Sequence, residues 1–158
     1  MANTQSMCTS FMSELMTGTH NFGTAPTRAV TTADTFKAAL YLASATINAS
    51  TTAYSATGEV SGTGYSAGGV TVTNATPPAS TNTSSTAGTA YWTPSASISY
   101  TTVTLTTAFD AVLIYNSTQS NKAVSVHTFG SQTVTAGTFT LTMPSNTTST
   151  ALLRLATT

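Results

Sequence analysis

Residues 8–19 carry a helical pattern of apolar positions. The stripe at helical spacing is made up of Cys8, Phe11, Met12, Leu15, Met16 and Thr19. A period of about 3.6 residues predicts an amphipathic helix that Thr9 or Ser10 caps and that ends near Gly18. The stripe fits a helix packed on its own domain. It also fits a terminal arm that anchors the chain to a neighbour through adaptable methionine side chains.

Beyond residue 30 the pattern changes to short segments in which polar and apolar residues alternate, as is typical of strands. The predicted strands are residues 34–42, 51–54, 70–73, 98–107, 109–115, 122–127, 132–135, 138–143 and 151–155. The clearest hairpin joins the apolar run Phe109–Tyr115 to the alternating Lys122–His127 through a polar turn. Residues Thr76–Ala90 are almost entirely Ser, Thr, Asn, Ala, Gly and Pro, so an exposed loop is predicted there.

Many short strands with one terminal helix predict an all-β fold. We expect an antiparallel β-sandwich or jelly roll with a short N-terminal helix. No alternation of strands and helices supports a parallel α/β sheet. The length of 158 residues is that of one domain. Within it we expect a helix and arm at residues 1–30 and the β-sandwich at residues 31–158.

Charge is the property in which the chain departs most from an average soluble protein. Only 5% of residues are Asp, Glu, Lys or Arg, the four acids and four bases cancel, and Ser and Thr exceed a third of the chain. The usual charged fraction is about 25%. A neutral surface is not dispersed by electrostatic repulsion, so association with other protein is expected. Four scattered bases do not supply the phosphate contacts of a nucleic-acid site, so we expect no nucleic-acid partner.

The sequence shows no targeting pattern. No stretch approaches the roughly 18–20 apolar residues of a transmembrane helix, and the N-terminal residues lack the regions of a secretory signal. The single cysteine, Cys8, excludes an intramolecular disulfide. We therefore expect no membrane partner, and a chain that is made and assembled in a reducing cytoplasm.

Residues able to carry chemistry are few. The histidines His20 and His127 are far apart in sequence, and none of the short His or Cys pairs of zinc sites occurs. His127 falls in a predicted strand, where a hydrogen-bonded structural role is expected. Cys8 lies in the helical stripe and is interpreted as a small buried hydrophobic residue. We expect no cofactor, no metal site and no enzymatic activity.

The segment Gly64–Gly68 reads G-Y-S-A-G, which has the letters of a hydrolase nucleophile elbow. That elbow needs a buried strand before it and a helix after it. Here glycines precede the segment and the strand-like Val70–Thr73 follows it. We interpret the segment as a glycine-rich turn and not as the site of a nucleophilic Ser66. Because no helix follows, a phosphate-binding loop is not indicated either.

Several linked motifs resemble a recurring family of small structural proteins of tailed bacteriophages. In the first half they are Asp34–Tyr41, Thr51–Tyr54 and Gly58–Gly69. In the second half they are Ala111–Ser117, Asn121–Val126 and the pair Phe129-Gly130. The resemblance covers roughly residues 8 to 155 in the same order. The Ser- and Thr-rich loop Thr76–Ala90 departs from it.

Some members of that family are similar to the cement, or decoration, proteins that clasp the outside of icosahedral capsids. The resemblance implies a capsid cement protein that stabilises the shell, with the major capsid protein as partner, a homotrimer as oligomer and the virion as location. The expected contact elements are the helical stripe and the loop Pro77–Thr89. The expected interface residues are Phe11, Met12, Leu15, Met16, Pro77, Pro78, Tyr91 and Trp92.

Two other functions fit the same composition. One is a different virion part, a tail or fibre-attachment structural protein, which a low copy number in the particle would distinguish from cement. The other is a carbohydrate-binding β-sandwich module. That module would need exposed aromatic side chains on one sheet face, which Tyr91, Trp92 and Tyr100 could supply.

Overall fold

The computed structural model describes residues 2–16, 18–22, 33–81 and 88–156. Two antiparallel sheets pack together behind a short helix, which confirms the predicted all-β sandwich with a short N-terminal helix. The elements are β1 (Ser6–Met7), α1 (Thr9–Met16), β2 (Phe36–Leu42), β3 (Val70–Thr71), β4 (Ala79–Ser80), β5 (Thr89–Trp92), β6 (Ile98–Asn116), β7 (Lys122–Leu141) and β8 (Leu153–Ala156).

The larger sheet has the strand order β1-β7-β6-β2-β3, and the smaller sheet has the order β4-β5-β8. β6 pairs with β7, and β5, which precedes β6, pairs with β8, which follows β7. Residues 89–156 therefore form one long hairpin that is bent near its open end. The bend lies between the pair Trp92–Leu153 in the small sheet and the pair Ile98–Leu141 in the large sheet.

The strands β6 and β7 are longer than predicted. The separate strands expected at 98–107 and 109–115 are one strand, and those expected at 122–127, 132–135 and 138–143 are another, so these boundaries were wrong. The pairing shifts register at several bulges where breaks were expected. Thr102 and Ala136 have positive φ angles of 55° and 46°. Bulges absorb the local irregularity and the ladder continues beyond each of them.

Two further expectations needed correction. Residues 51–54 form no strand, and Ala53 makes only an isolated bridge to Lys122. The predicted loop Thr76–Ala90 contains β4 and the first residues of β5, which pair with each other. Residues 82–87 of that loop lie outside the described residues.

The core lies on both faces of β2. On one face Phe36 contacts the ring of Trp92 from the small sheet at 6.1 Å, and on the other Tyr54 stacks on Tyr115 at 4.8 Å. Residues 43–69 thus cover the face that the small sheet leaves open. Because β2 is buried on both faces, its sequence is a continuous apolar run with little alternation.

The N-terminal residues belong to this core. The backbone N–H of Cys8 donates to the carbonyl of Val124 at 3.0 Å, and that of Thr9 donates to Ala49 at 2.9 Å. Phe11 on α1 is only 2% exposed. The helix therefore packs on its own domain. Residues 23–30 of the predicted arm lie outside the described residues.

Candidate interaction surface

An apolar groove of about 90 Å³ lies between α1 and the small sheet. Its walls are Met7, Phe11, Leu15, Phe22, Pro78, Ala90, Tyr91, Trp92, Leu153 and Leu155. None of these residues is charged. Among the described residues, the large apolar side chains that are exposed are Met12 on α1, at 47%, and Leu155 on β8, at 43%. The absence of charge from this lining agrees with the depletion of charged residues at the core of protein interfaces.

Ionic contacts fix the helical wall of the groove to the end of the large sheet. The Glu14 carboxylate accepts a hydrogen bond from Lys122 Nζ at 2.7 Å and lies 2.7 Å from His20 Nε2. Burial would raise the pKa of Glu14, but the hydrogen bonds of Lys122 and His20 outweigh burial and lower it below its ordinary value. Since Lys122 begins β7, these contacts hold α1 against the sheet.

A second polar cluster continues from His20 to the hairpin turn. The Asn116 amide lies 3.1 Å from His20 Nδ1 and donates to Asp34 Oδ2 at 2.7 Å. The Asp34 carboxylate also accepts the backbone N–H of Asn21 at 2.8 Å and the Gln119 amide at 3.1 Å. These hydrogen bonds hold the chain that follows α1 in place. His20 therefore has a structural role.

Trp92 forms the floor of the groove. Its indole N–H donates to Asn74 Oδ1 at 2.9 Å, and the Asn74 amide donates to the carbonyl of Phe22 at 2.7 Å. The Trp92 and Phe22 rings meet edge to face at 4.7 Å. The indole therefore belongs to the core, although part of it lines the groove.

The structure brings together five of the eight expected interface residues. Those that line the groove are Phe11, Leu15, Pro78, Tyr91 and Trp92. Met12 projects from α1, and Pro77 is exposed beside Pro78. Nothing is described of the Met16 side chain.

Two of the eight expected interface residues are buried. Phe11 and Trp92 are 2% and 3% exposed, because both pack against Phe22 in the core of their own chain. They shape the groove and do not project from it.

The aromatic platform expected of a carbohydrate-binding module does not form. Trp92 and Tyr100 are 3% and 2% exposed, and the Tyr100 hydroxyl donates to the carbonyl of Ala38 at 2.8 Å. Only Tyr91 of the three retains partial exposure. Of the three aromatic rings, a sugar would therefore find only that of Tyr91 partly exposed.

A polar cleft of about 460 Å³ opens beside the groove and shares Met7 and Leu153 with it. Ser125 and His127 lie in this cleft with 2.9 Å between the serine hydroxyl and His127 Nε2. Burial lowers the pKa of His127 to about 4, so its imidazole is neutral at neutral pH. No carboxylate side chain is among the described residues that line the cleft. The pair therefore lacks the acid that orients the histidine of a Ser-His-Asp triad.

Glu59 was not singled out from the sequence, yet it organises the loop over the large sheet. Its carboxylate accepts hydrogen bonds from the hydroxyls of Tyr54 at 2.6 Å and Tyr65 at 2.7 Å, and from the backbone N–H of Gly68 at 2.8 Å. The signal was its isolation, because Glu59 is the sole charged residue between positions 37 and 110.

The G-Y-S-A-G segment forms a glycine-rich turn, as its context predicted. Gly64 and Gly68 have positive φ angles of 78° and 86°, a conformation that glycine adopts without strain. The short strand β3 follows the turn directly. Ser66 therefore does not stand between a strand and a helix, as an elbow nucleophile does.

The thiol of Cys8 is fully buried. Cys8 is 0% exposed, and burial, with a smaller effect of the Glu14 charge, raises its pKa to about 11. It is therefore a poor nucleophile and packs as a small apolar residue. In the described part of the chain, no cluster of three or more His, Cys, Asp or Glu side chains could hold a metal ion. No helix within the described ranges is long and apolar enough to cross a bilayer.

Comparison with models of known protein families, with curated proteins and with solved structures gave no match.

Proposed function

We propose that this chain is a structural protein of a tailed-bacteriophage virion, a cement or decoration protein that binds the outside of the major capsid shell and stabilises it. The observation that carries the proposal is the apolar groove, with Leu155 exposed in its lining and Met12 exposed on α1, on a chain with almost no charge. The resemblance of residues 8–155 to small tailed-phage proteins supports the same conclusion.

The physical argument concerns what this surface can bind. Burying apolar surface contributes about 25 cal/mol per Å², and it needs no complementary charge on the partner. A nucleic acid would need many basic contacts, and the whole chain has four. A protein shell offers uncharged surface in a repeating array. Protein is therefore the partner to which this composition and this groove are suited.

The proposed homotrimer adds to the affinity. Each copy presents its own groove, so three copies bound together engage three equivalent sites on the shell. The second and third contacts are then intramolecular, and modest single contacts give nearly full occupancy. Stabilisation follows because each trimer would hold neighbouring capsid subunits together.

The test uses shells assembled from the major capsid protein of the phage that encodes the chain. The purified chain should co-sediment with these shells and raise the temperature at which they rupture. The double variant Met12→Lys and Leu155→Lys places charges on the exposed apolar residues and should abolish binding. The matched control, Thr57→Lys with Ser61→Lys, adds the same charge at exposed loop positions away from the groove and should bind normally.

Two results would count against the proposal. One is a shell whose heat resistance does not change when the wild-type chain is added. The other is a wild-type copy number in purified virions far below that of the major capsid protein, which would favour the tail or fibre-attachment protein. The burial of Trp92 and Tyr100 leaves no specific observation in favour of the carbohydrate-binding module.

A further inference from the structure

The outer edge of β7 is unpaired over most of its length. β1 pairs with β7 only at Ser125 and Val126. From Thr128 to Leu141 the strand bonds to β6 on one side, and no described residue pairs with its backbone on the other. About half of the N–H and C=O groups of such a stretch point away from the sheet.

This edge lacks most of the features that protect natural sheet edges. Exposed edges usually carry charges or proline, which prevent another strand from adding to them. No Asp, Glu, Lys or Arg occurs from Ala123 to Leu153, and the first proline after β6 is Pro144. Among the described residues, this stretch is interrupted by its bulges and by a hydrogen bond from the Gln132 amide to the carbonyl of Gly130 at 3.0 Å. The other edge strands of the described sheets, β1, β3, β4 and β8, have two to four residues each.

Apolar side chains accompany the free edge. Phe129, Val134, Phe139 and Leu141 are only partly buried where they pack on the core. The ring of Phe139 packs edge to face on the buried ring of Phe109, with 5.0 Å between the ring centroids, and this contact fixes its position. A strand added to this edge would therefore gain backbone hydrogen bonds and would cover apolar surface as well.

We propose that the Thr128–Leu141 edge of β7 is the self-association surface, where a strand of a second copy of this chain adds to the large sheet. The absence of charge on this edge indicates which strand can pair with it. An uncharged edge favours an uncharged strand, since burying an unpaired charge is costly. Four of the eight described strands, β1, β3, β4 and β5, carry no charged residue, and neither does the stretch Thr128–Leu141 of β7 itself. The zero net charge leaves no repulsion between copies. The inference rests on the homo-oligomer of the proposed function and assigns its surface.

The test measures the mass of the full chain by light scattering and sedimentation over a wide range of concentration. The wild type should have a mass that is a multiple of 16.1 kDa. The double variant Thr133→Lys and Thr135→Lys places two charges on the exposed edge and should be a monomer. The loop control Thr57→Lys with Ser61→Lys should remain an oligomer. Circular dichroism and thermal unfolding confirm that all three chains fold.

A second measurement does not depend on a variant. Amide hydrogen exchange in residues 128–141 should slow when the wild type is concentrated, because the outward N–H groups then have partners. A wild-type chain that stays monomeric overturns the inference. So does an oligomer that persists in the edge variant.

Failure of the proposed function gives a different pattern. In that case the wild type would oligomerise through β7 and still not bind the shells. Conversely, a monomeric wild type that binds shells would overturn the assignment of β7 and leave the capsid partner supported. Protection of residues 128–141 only on addition of shells would identify a capsid strand as the occupant and would also overturn the inference.

Discussion

Tyr65 and Glu59 are joined by a hydrogen bond of 2.7 Å between the phenol and a carboxylate oxygen. The same hydroxyl accepts the backbone N–H of Leu40 on β2 at 3.0 Å, so one side chain ties the loop to the sheet. Burial, followed by the hydrogen bond to Glu59, raises the pKa of Tyr65 well above its ordinary value of 10.0. The phenol therefore remains protonated, and able to donate, at neutral pH.

Removing this hydroxyl should destabilise the protein. Tyr65→Phe removes one hydrogen-bond partner from the Leu40 N–H and one from a Glu59 carboxylate oxygen. The free energy of unfolding should therefore fall by about 1–3 kcal/mol. Urea unfolding measures it. Tyr91→Phe is the matched control, since the Tyr91 hydroxyl makes no hydrogen bond with the described residues, and it should change stability by less than about 0.5 kcal/mol. Equal effects of the two variants would contradict the role given to Tyr65.

Asn116 should be among the most sensitive polar positions. It is 0% exposed and donates to Asp34 at 2.7 Å while its carbonyl accepts the N–H groups of Thr118 and Gln119. Asn116→Ala should lower the free energy of unfolding by about 3 kcal/mol, because several buried groups lose a partner at once. Asn48→Ala removes bonds in an exposed turn and should cost less than about 1 kcal/mol. A small effect at Asn116 in thermal unfolding would show that water replaces its bonds.

The folded state should lose stability in mild acid through His127. Its pKa is about 4 in the folded chain against an ordinary 6.5, so between these values the unfolded chain binds a proton that the folded chain does not. The free energy of unfolding should therefore fall as the pH drops through this window, by up to about 3 kcal/mol in total.

His127→Gln removes the titrating group and should flatten this pH dependence. Urea unfolding between pH 7 and about pH 5 isolates the effect, because Glu14, whose pKa is lowered, loses its contribution only below its ordinary value of 4.5. An identical slope in wild type and variant would show that His127 is as free to protonate in the fold as outside it.

Ala136 occupies a backbone conformation that suits glycine. Its φ of 46° lies in the left-handed region, which costs a residue with a Cβ roughly 1–2 kcal/mol. Ala136→Gly should raise the free energy of unfolding by about 0.5–1 kcal/mol, the relief of strain less the added entropy of the unfolded chain. Ala108→Gly, in a part of β6 without a positive φ, should lower it. Thermal unfolding compares the stability of the two variants with that of the wild type. A loss of stability in both would contradict strain at Ala136.

The sequence predicted what local periodicity determines. The stripe of Phe11 and Leu15 predicted α1, and the polar turn at Asn116–Asn121 predicted the hairpin, since each depends on neighbouring residues. The unbroken length of β7 was missed, because separate strands were predicted on either side of Gly130 and of Gly137. A Cβ at Gly130 would meet no atom within 4 Å, so this glycine serves neither a turn nor a close contact.

The groove was only partly predictable. Its residues were recognised as apolar and aromatic, but whether Trp92 projects or packs depends on Phe22 and Phe36, which precede it by more than fifty positions. Likewise, Glu59 meets Tyr65 in a segment that turns at three glycines with positive φ, Gly64, Gly68 and Gly69, before β3 begins. Contacts between residues as far apart in the sequence as Phe22 and Trp92 produce no periodic pattern of apolar and polar positions.

The bent hairpin has a consequence for the order in which the chain unfolds. During folding, strand pairing can begin at the turn beside Lys122 and extend along β6 and β7, because each new pair forms next to one already made. The pairs of the small sheet then form last. In unfolding, the same sheet should fray first. The wall of the groove that the small sheet forms is then the least rigid part of the groove. In the proposed capsid complex, this wall would adjust to the bound partner while the large sheet behind it keeps its shape.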